Sequence, residues 1–210
     1  MIVIATCFMC FPIVAHWIKR RPDLRLVRVP MGDRAPEGLK RLATRPELLM
    51  SVGFSGGLTV HERLGRVVLA SSVEHAGERI LIDEQLLGQA KRALDRQGMQ
   101  FSVGHTLCSP RIASTAREKA ELAKTGAIAV DMESGALYRW ARSHHVEFLS
   151  LRVILDPVDK PLPFSEAVPT WQTILKHPGQ TLWTARAARV AGRSLGSAVN
   201  GLVGTWGTMS

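Results

Sequence analysis

The sequence predicts a single α/β domain, and three observations carry that expectation. The chain has 210 residues, 46% of them hydrophobic and 21% charged, a make-up that buries one sizeable core without staples. Short apolar runs alternate with stretches of helical spacing, as strands joined through helices do. No internal repeat or low-complexity tract interrupts the alternation. Cysteines 7, 10 and 108 form no disulfide framework, which with the lack of a cleavable leader points to the reducing cytoplasm.

The opening MIVIAT reads as a buried parallel strand running into the first turn of a helix. Residues 2–18 are almost continuously apolar and precede Lys19, Arg20 and Arg21, which suggests a membrane. The run contains Pro12 and His16, however, and is shorter than the roughly 20 residues of a spanning helix. Trp17 beside the three cations leaves peripheral membrane contact open. Cys7 and Cys10 form a CxxC, but bulky Phe8 and Met9 between them favour small buried hydrophobes over a redox pair or metal ligands.

Further strands are expected at 24–30 (LRLVRVP), 48–54 (LLMSVGF) and 66–73 (RVVLASSV). A helix over 87–96 closes at Gly98, and a short strand follows at 99–104. Thr115 and Glu118 make a capping box for a helix over 115–124, with Gly126 as its C-terminal cap. The apolar stretch 127–132 leads into a helix with Ala136, Leu137, Trp140 and Ala141 on one face, and His144 and His145 suit its C-terminal dipole. Residues 148–155 form the next strand and 181–203 the last helix. The domain is therefore expected to be 1–203, with 204–210 a frayed tail.

The net charge of +9 is concentrated in residues 19–45, with nine basic and three acidic side chains. A solvated face is the expected reading; no nucleic-acid-binding motif accompanies the run, so no nucleic-acid partner is expected. The histidines have no metal-ligand spacing, and no metal is expected.

Two segments place carboxylates at the end of an apolar strand: Asp131 and Glu133 after AIAV, and Asp156 and Asp159 after LRVIL. Strand ends are where α/β sheets put their sites, although a single acid there serves equally as a helix N-cap. Adjacent parallel strands would bring both into one crevice. Gly53, Gly56 and Gly57 in SVGFSGGL follow a buried strand, and either admit a ligand to the backbone or make a tight turn.

These three segments resemble the superfamily of purine nucleoside phosphorylases and methylthioadenosine/adenosylhomocysteine nucleosidases. SVGFSGGL is similar to its glycine-rich ribose and phosphate loop, AIAVDMESGAL to its ribose motif, and LRVILDPVD to its acid motif, over residues 48 to 160. Within it, AVDMES, DPVDKPLP and HPGQTL at 177–182 are most similar to the hopanoid-associated phosphorylases, which act on adenosylhopane.

The resemblance implies a nucleoside phosphorylase-like domain with a mixed central sheet flanked by helices. It implies release of adenine from a nucleoside with a large apolar 5′ group, no cofactor, inorganic phosphate as co-substrate and a homo-oligomer. Breaking the ribose to purine bond builds positive charge on the sugar and negative charge on the base, so it needs an acid at the base and acceptors on the sugar. By resemblance Asp156 is the acid that protonates N7, Glu133 accepts from the ribose hydroxyls and Met132 packs under the sugar. Gly32 and Arg34 of VPMGDR, with Gly56 and Gly57, are the phosphate or loop residues. The nucleosidases' first-strand glutamate, which activates water, has no counterpart in CFMCFP. Phosphorolysis is therefore expected ahead of hydrolysis, and a non-catalytic nucleoside-binding member is the third reading. Phe54 and Leu155 replace family serines, and Arg111 or Ile112 falls where a base-stacking phenylalanine is common.

Overall fold

A computed structural model describes residues 1–8, 10–18, 21–160 and 178–206. The elements run β1 (Ile2–Cys7), α1 (Phe11–Trp17), β2 (Leu24–Val29), a 3₁₀ helix (Gly32–Arg41), β3 (Leu48–Gly57), β4 (Val67–His75), β5 (Glu78–Leu81), α2 (Glu84–Arg96), β6 (Phe101–Cys108), α3 (Ala116–Ala123), β7 (Ala129–Asp131), α4 (Ser134–Ser143), β8 (Glu147–Asp156) and α5 (Pro178–Trp206). The fold is the mixed α/β domain expected, a central sheet flanked by helices.

Pairing around β3 shapes the molecule. One edge of β3 takes β8 in parallel from Leu48 to Gly56. The other edge takes β1 in parallel at Leu48–Ser51 and then β7, antiparallel, at Gly56 and Gly57. Because β8 also pairs with β4, β4 with β6 and β6 with β7, the strands β3, β8, β4, β6 and β7 close into a ring. β1 and β2 extend from β3, and β5 from β4. Within this ring β3, β4 and β8 are buried on both faces along most of their length, as their apolar runs require. Leu49, Met50, Leu149 and Leu151 are fully buried, and α5 closes the same core with Leu195, Ala198, Val199 and Leu202.

Several sequence expectations are corrected. β7 and β8 are not adjacent parallel strands: β3 lies between them, and β7 runs against it. The last helix does not stop at Val203, because the Trp206 indole donates to Gln89 Oε1 at 2.8 Å and holds 204–206 helical against α2. Of the tail expected over 204–210, only 207–210 lie outside the described residues. β5 was not foreseen; it turns back from β4 through Ala76 (φ 53°) and Gly77 (φ 79°), the positive pair that a two-residue hairpin needs. The capping box at Thr115 and Glu118 forms as expected. Met9, Lys19, Arg20, the DPVDKPLP stretch beyond Lys160 and His177 of HPGQTL fall outside the described residues. The apolar opening is the strand β1, and no helix among the described residues is long and apolar enough to cross a membrane.

Candidate active site

β1 pairs with β3 only as far as Ser51 and β7 only from Gly56, so Val52–Ser55 have no strand beside them on that edge. The C-terminal ends of β1 and β7 face each other across this gap from opposite directions. Such an interruption is where an α/β sheet opens a crevice. Two buried carboxylates stand near it, Glu133 after β7 on the same edge of β3 and Asp156 at the end of β8 on the other edge.

Glu133 follows β7 and is 6% exposed. Its backbone is placed by Asp131, whose Oδ1 accepts the N–H groups of Glu133 and Ser134 at 2.9 Å each and so starts α4. Asp131 therefore does the capping work that a strand-end acid commonly does. Its Oδ2 accepts from Arg152 Nε at 2.9 Å, a pair with both side chains almost fully buried. The other end of Arg152 donates to Ser51 Oγ, and its Nη1 lies against Gly53, where a Cβ would come within 2.7 Å. Burial pushes the Glu133 carboxyl up to about 8, with Cys7 and Asp131 adding to the rise, while Arg152 and the Gly32 N–H oppose it. Gly32 starts the 3₁₀ helix at a φ of 68°, which glycine adopts without strain.

Cys7 and Cys10 complete this end, with sulfurs 3.5 Å apart. The hydrogen bond to Cys7 and then burial raise the Cys10 thiol well above its usual range, as fits small buried residues rather than reactive ones. Met132 is half-buried beside Glu133.

Asp156 ends β8 opposite Gly56 of β3 and is 4% exposed. Lys119 Nζ lies 2.6 Å from its Oδ2. A Cβ on Gly56 would sit 3.2 Å from that oxygen, so glycine keeps β3 off the carboxylate. Gly53 beside Arg152 and Gly56 beside Asp156 are three residues apart on β3, about 10 Å at strand rise.

The remaining sequence candidates are not gathered there. Arg34 is 76% exposed and makes a two-pronged pair with Glu37 at 2.9 and 3.0 Å. Gly57 packs on Glu62, whose carbonyl oxygen would lie 2.7 Å from a Cβ. Asp159 is exposed. A groove of about 600 Å³ runs beside β2, lined by Phe8, Arg25, Arg28, Pro30, Arg41 and Leu42 among others, and contains neither Glu133 nor Asp156. No cluster of metal-ligating side chains occurs among the described residues.

Sequence reasoning did not single out Arg152 or Lys119. Arg152 had a signal, a lone cation inside the apolar run FLSLRVIL, which must find a buried acid. Lys119 had none, being one of several charges on a short polar helix.

The sequence profile of the phosphorylase superfamily matches residues 35–185. A DeoD-type purine nucleoside phosphorylase of Streptococcus gordonii is 33% identical over 125 residues, 54% of this chain and 53% of that protein. The chain thus spans about half the length of the curated relatives it matches. Among solved structures, the methylthioadenosine/S-adenosylhomocysteine nucleosidase of Neisseria meningitidis superposes with a TM-score of 0.75 at 15% identity, covering 96% of this chain and 97% of that one. Futalosine hydrolase of Helicobacter pylori gives 0.74 at 14%, covering 97% of each chain.

Proposed function

The chain belongs to the phosphorylase superfamily, and on that premise we propose that it cleaves the N-glycosidic bond of a purine nucleoside with inorganic phosphate as nucleophile. The observation that carries the reading is the placement of two buried strand-end carboxylates, Glu133 after β7 and Asp156 at the end of β8, on the two edges of β3. A phosphate oxygen attacks C1′, the bond from C1′ to the purine nitrogen breaks, and its electron pair passes to the base. Asp156 delivers a proton to N7, and Glu133 accepts from the ribose hydroxyls as positive charge grows on the sugar. Met132, half-buried next to Glu133, packs under the sugar. Asp131 and Arg152 do not react; they fix where Glu133 stands.

Phosphate is already anionic and needs N–H donors and cations rather than a base. The end of β1 supplies Cys7 and no carboxylate, which supports phosphorolysis. The Gly32 turn and the Gly56 backbone are the donors proposed for phosphate, with Arg34 reaching it only by leaving Glu37. The substrate proposed is an adenine nucleoside with a large apolar 5′ group, adenosylhopane in hopanoid biosynthesis, on the likeness of AVDMES and DPVDKPLP. Phe8, 57% exposed under Arg28 at 5.4 Å, offers such a group an apolar edge at the end of β1. A cytoplasmic homo-oligomer in peripheral contact with the membrane belongs to the same proposal.

Hydrolysis is the second reading, and one observation favours it. A carboxyl raised to about 8, as in Glu133, is suited to taking a proton from water near neutral pH. Adenine release from a panel of 5′-substituted adenosines, with and without phosphate, separates the readings. Phosphate-dependent release with a sugar 1-phosphate product supports the proposal. Full-rate release of free sugar without phosphate replaces it with hydrolysis. Nucleoside-induced thermal stabilisation with no release identifies a binding protein.

A further inference from the structure

Lys119 has no solvent exposure, although Arg117, Glu118 and Glu121 around it on α3 are all exposed. Burying an ammonium is costly unless every N–H finds an acceptor. Lys119 meets that demand at the end of β8: Asp156 Oδ2 at 2.6 Å, the Asp156 carbonyl at 2.5 Å and the Pro157 carbonyl at 3.3 Å. The two carbonyls alone would tie α3 to the end of β8. The carboxylate contact adds something a structural strap does not require, a path for a proton.

We infer that Lys119 is the positioning residue that stores the proton Asp156 delivers to the leaving base. The inference rests on Asp156 being the acid. An ammonium held against a carboxylate keeps the proton on nitrogen at rest, so the acid must be recharged from its partner during the reaction. As the C1′ to purine bond breaks and its electron pair moves to the base, a proton passes from Nζ to the Asp156 carboxyl and a proton passes from that carboxyl to N7. One N–H bond of Lys119 breaks and one N–H bond forms on the purine. A neutral amine and a carboxylate remain, and the amine regains a proton from water as the base departs. Lysine suits the task because a buried amine tolerates the neutral state, whereas arginine holds its proton. Gly56 keeps β3 clear of the pair, since a Cβ there would lie 3.2 Å from Asp156 Oδ2.

The test compares Lys119→Arg, Lys119→Met and Asp156→Asn in the full chain on two substrates. One is an adenine nucleoside; the other is p-nitrophenyl riboside, whose leaving group departs without a proton. Lys119→Arg keeps the charge and the hydrogen-bond donors, yet should lose at least about tenfold in kcat on the nucleoside while staying within about threefold on the nitrophenyl riboside. Lys119→Met should behave alike. Rescue by arginine, or equal losses on both substrates, overturns the inference by showing a purely structural role. If Asp156→Asn retains nucleoside turnover, the acid reading itself fails; if only the Lys119 variants retain it, that reading stands and the inference falls. Should thermal unfolding show that neither Lys119 variant folds, the unaltered protein decides. On the nucleoside its kcat should fall in D2O with a curved dependence on the deuterium fraction, as two protons move together from Nζ to the carboxyl and from the carboxyl to N7, while kcat on the nitrophenyl riboside should show no such curve. A linear dependence on the nucleoside, the mark of a single proton in flight, overturns it.

Discussion

Glu133 and Asp156 are the same chemical group at strand ends on the two sides of β3, both almost fully buried, yet their surroundings are opposite. Glu133 sits among Cys7 and Asp131, with Arg152, the cation that opposes the rise, already paired with Asp131, and its carboxyl rises to about 8. Asp156 faces the ammonium of Lys119 at 2.6 Å. Two carboxyls made unequal by their neighbours can take different parts in one reaction. Position alone does not assign the parts.

The largest effect that tests this inequality is on Asp156→Asn, which keeps the shape and removes the proton donor. Adenine release should fall by about 10²- to 10⁴-fold with the fold intact by circular dichroism. Retention of more than about a tenth of turnover ends the reading of Asp156 as the acid.

Next comes Arg152→Met, which strands Asp131 as an uncompensated buried charge. Breaking such a pair from one side costs about 3–5 kcal/mol, measured by denaturant unfolding. With the opposing cation gone, the Glu133 carboxyl should climb further. An unchanged unfolding midpoint means the pair does not hold the Glu133 end.

Glu133→Gln sharpens the comparison through pH. The folded carboxyl is raised from an ordinary value near 4.5 to about 8, so its contribution to stability is full below about 4.5 and lost as pH rises through about 8. If the carboxylate is the form that accepts the ribose hydroxyls, kcat/KM rises through the same upper value. The glutamine variant should flatten both profiles and lower kcat about tenfold; a rise in KM alone would mark Glu133 as a plain binding residue.

The smallest effect expected is that of Thr115→Ala, which removes the cap of the helix carrying Lys119. About 0.5–2 kcal/mol of stability should go, followed by thermal melting, with a loss of nucleoside turnover if the Lys119 end is held by that helix. Turnover unchanged at equal destabilisation would mean that β8 alone places the pair.

The residues that sequence reasoning found and those it missed divide along physical lines. Strands β1, β3 and β8 were legible because both of their faces are buried, and a strand covered on both sides must be written as an unbroken apolar run. Thr115 and Glu118 were legible because a capping box is local chemistry. The contact of Lys119 with Asp156 spans 37 positions and leaves no periodic trace. The ring around β3 was hidden for a related reason: β7 has three residues, too few to declare which neighbour it joins or in which direction. Glu133 and Asp156 were thus identified as strand-end acids, while their places on the two edges of β3 came only with the pairing.

The closed ring also sets a timetable for synthesis. β8 fills the space between β3 and β4 and is the last of the five ring strands to leave the ribosome. Until Glu147–Asp156 emerges, β3 and β4 each present an apolar edge with nothing to pair with, for about 5–20 s at ordinary elongation rates. A nascent chain stalled just before Glu147 should be bound by chaperones and cut readily by protease, and one stalled beyond Trp206 should resist both. Protection that is already complete at the earlier stall would mean that the N-terminal strands seal themselves without β8.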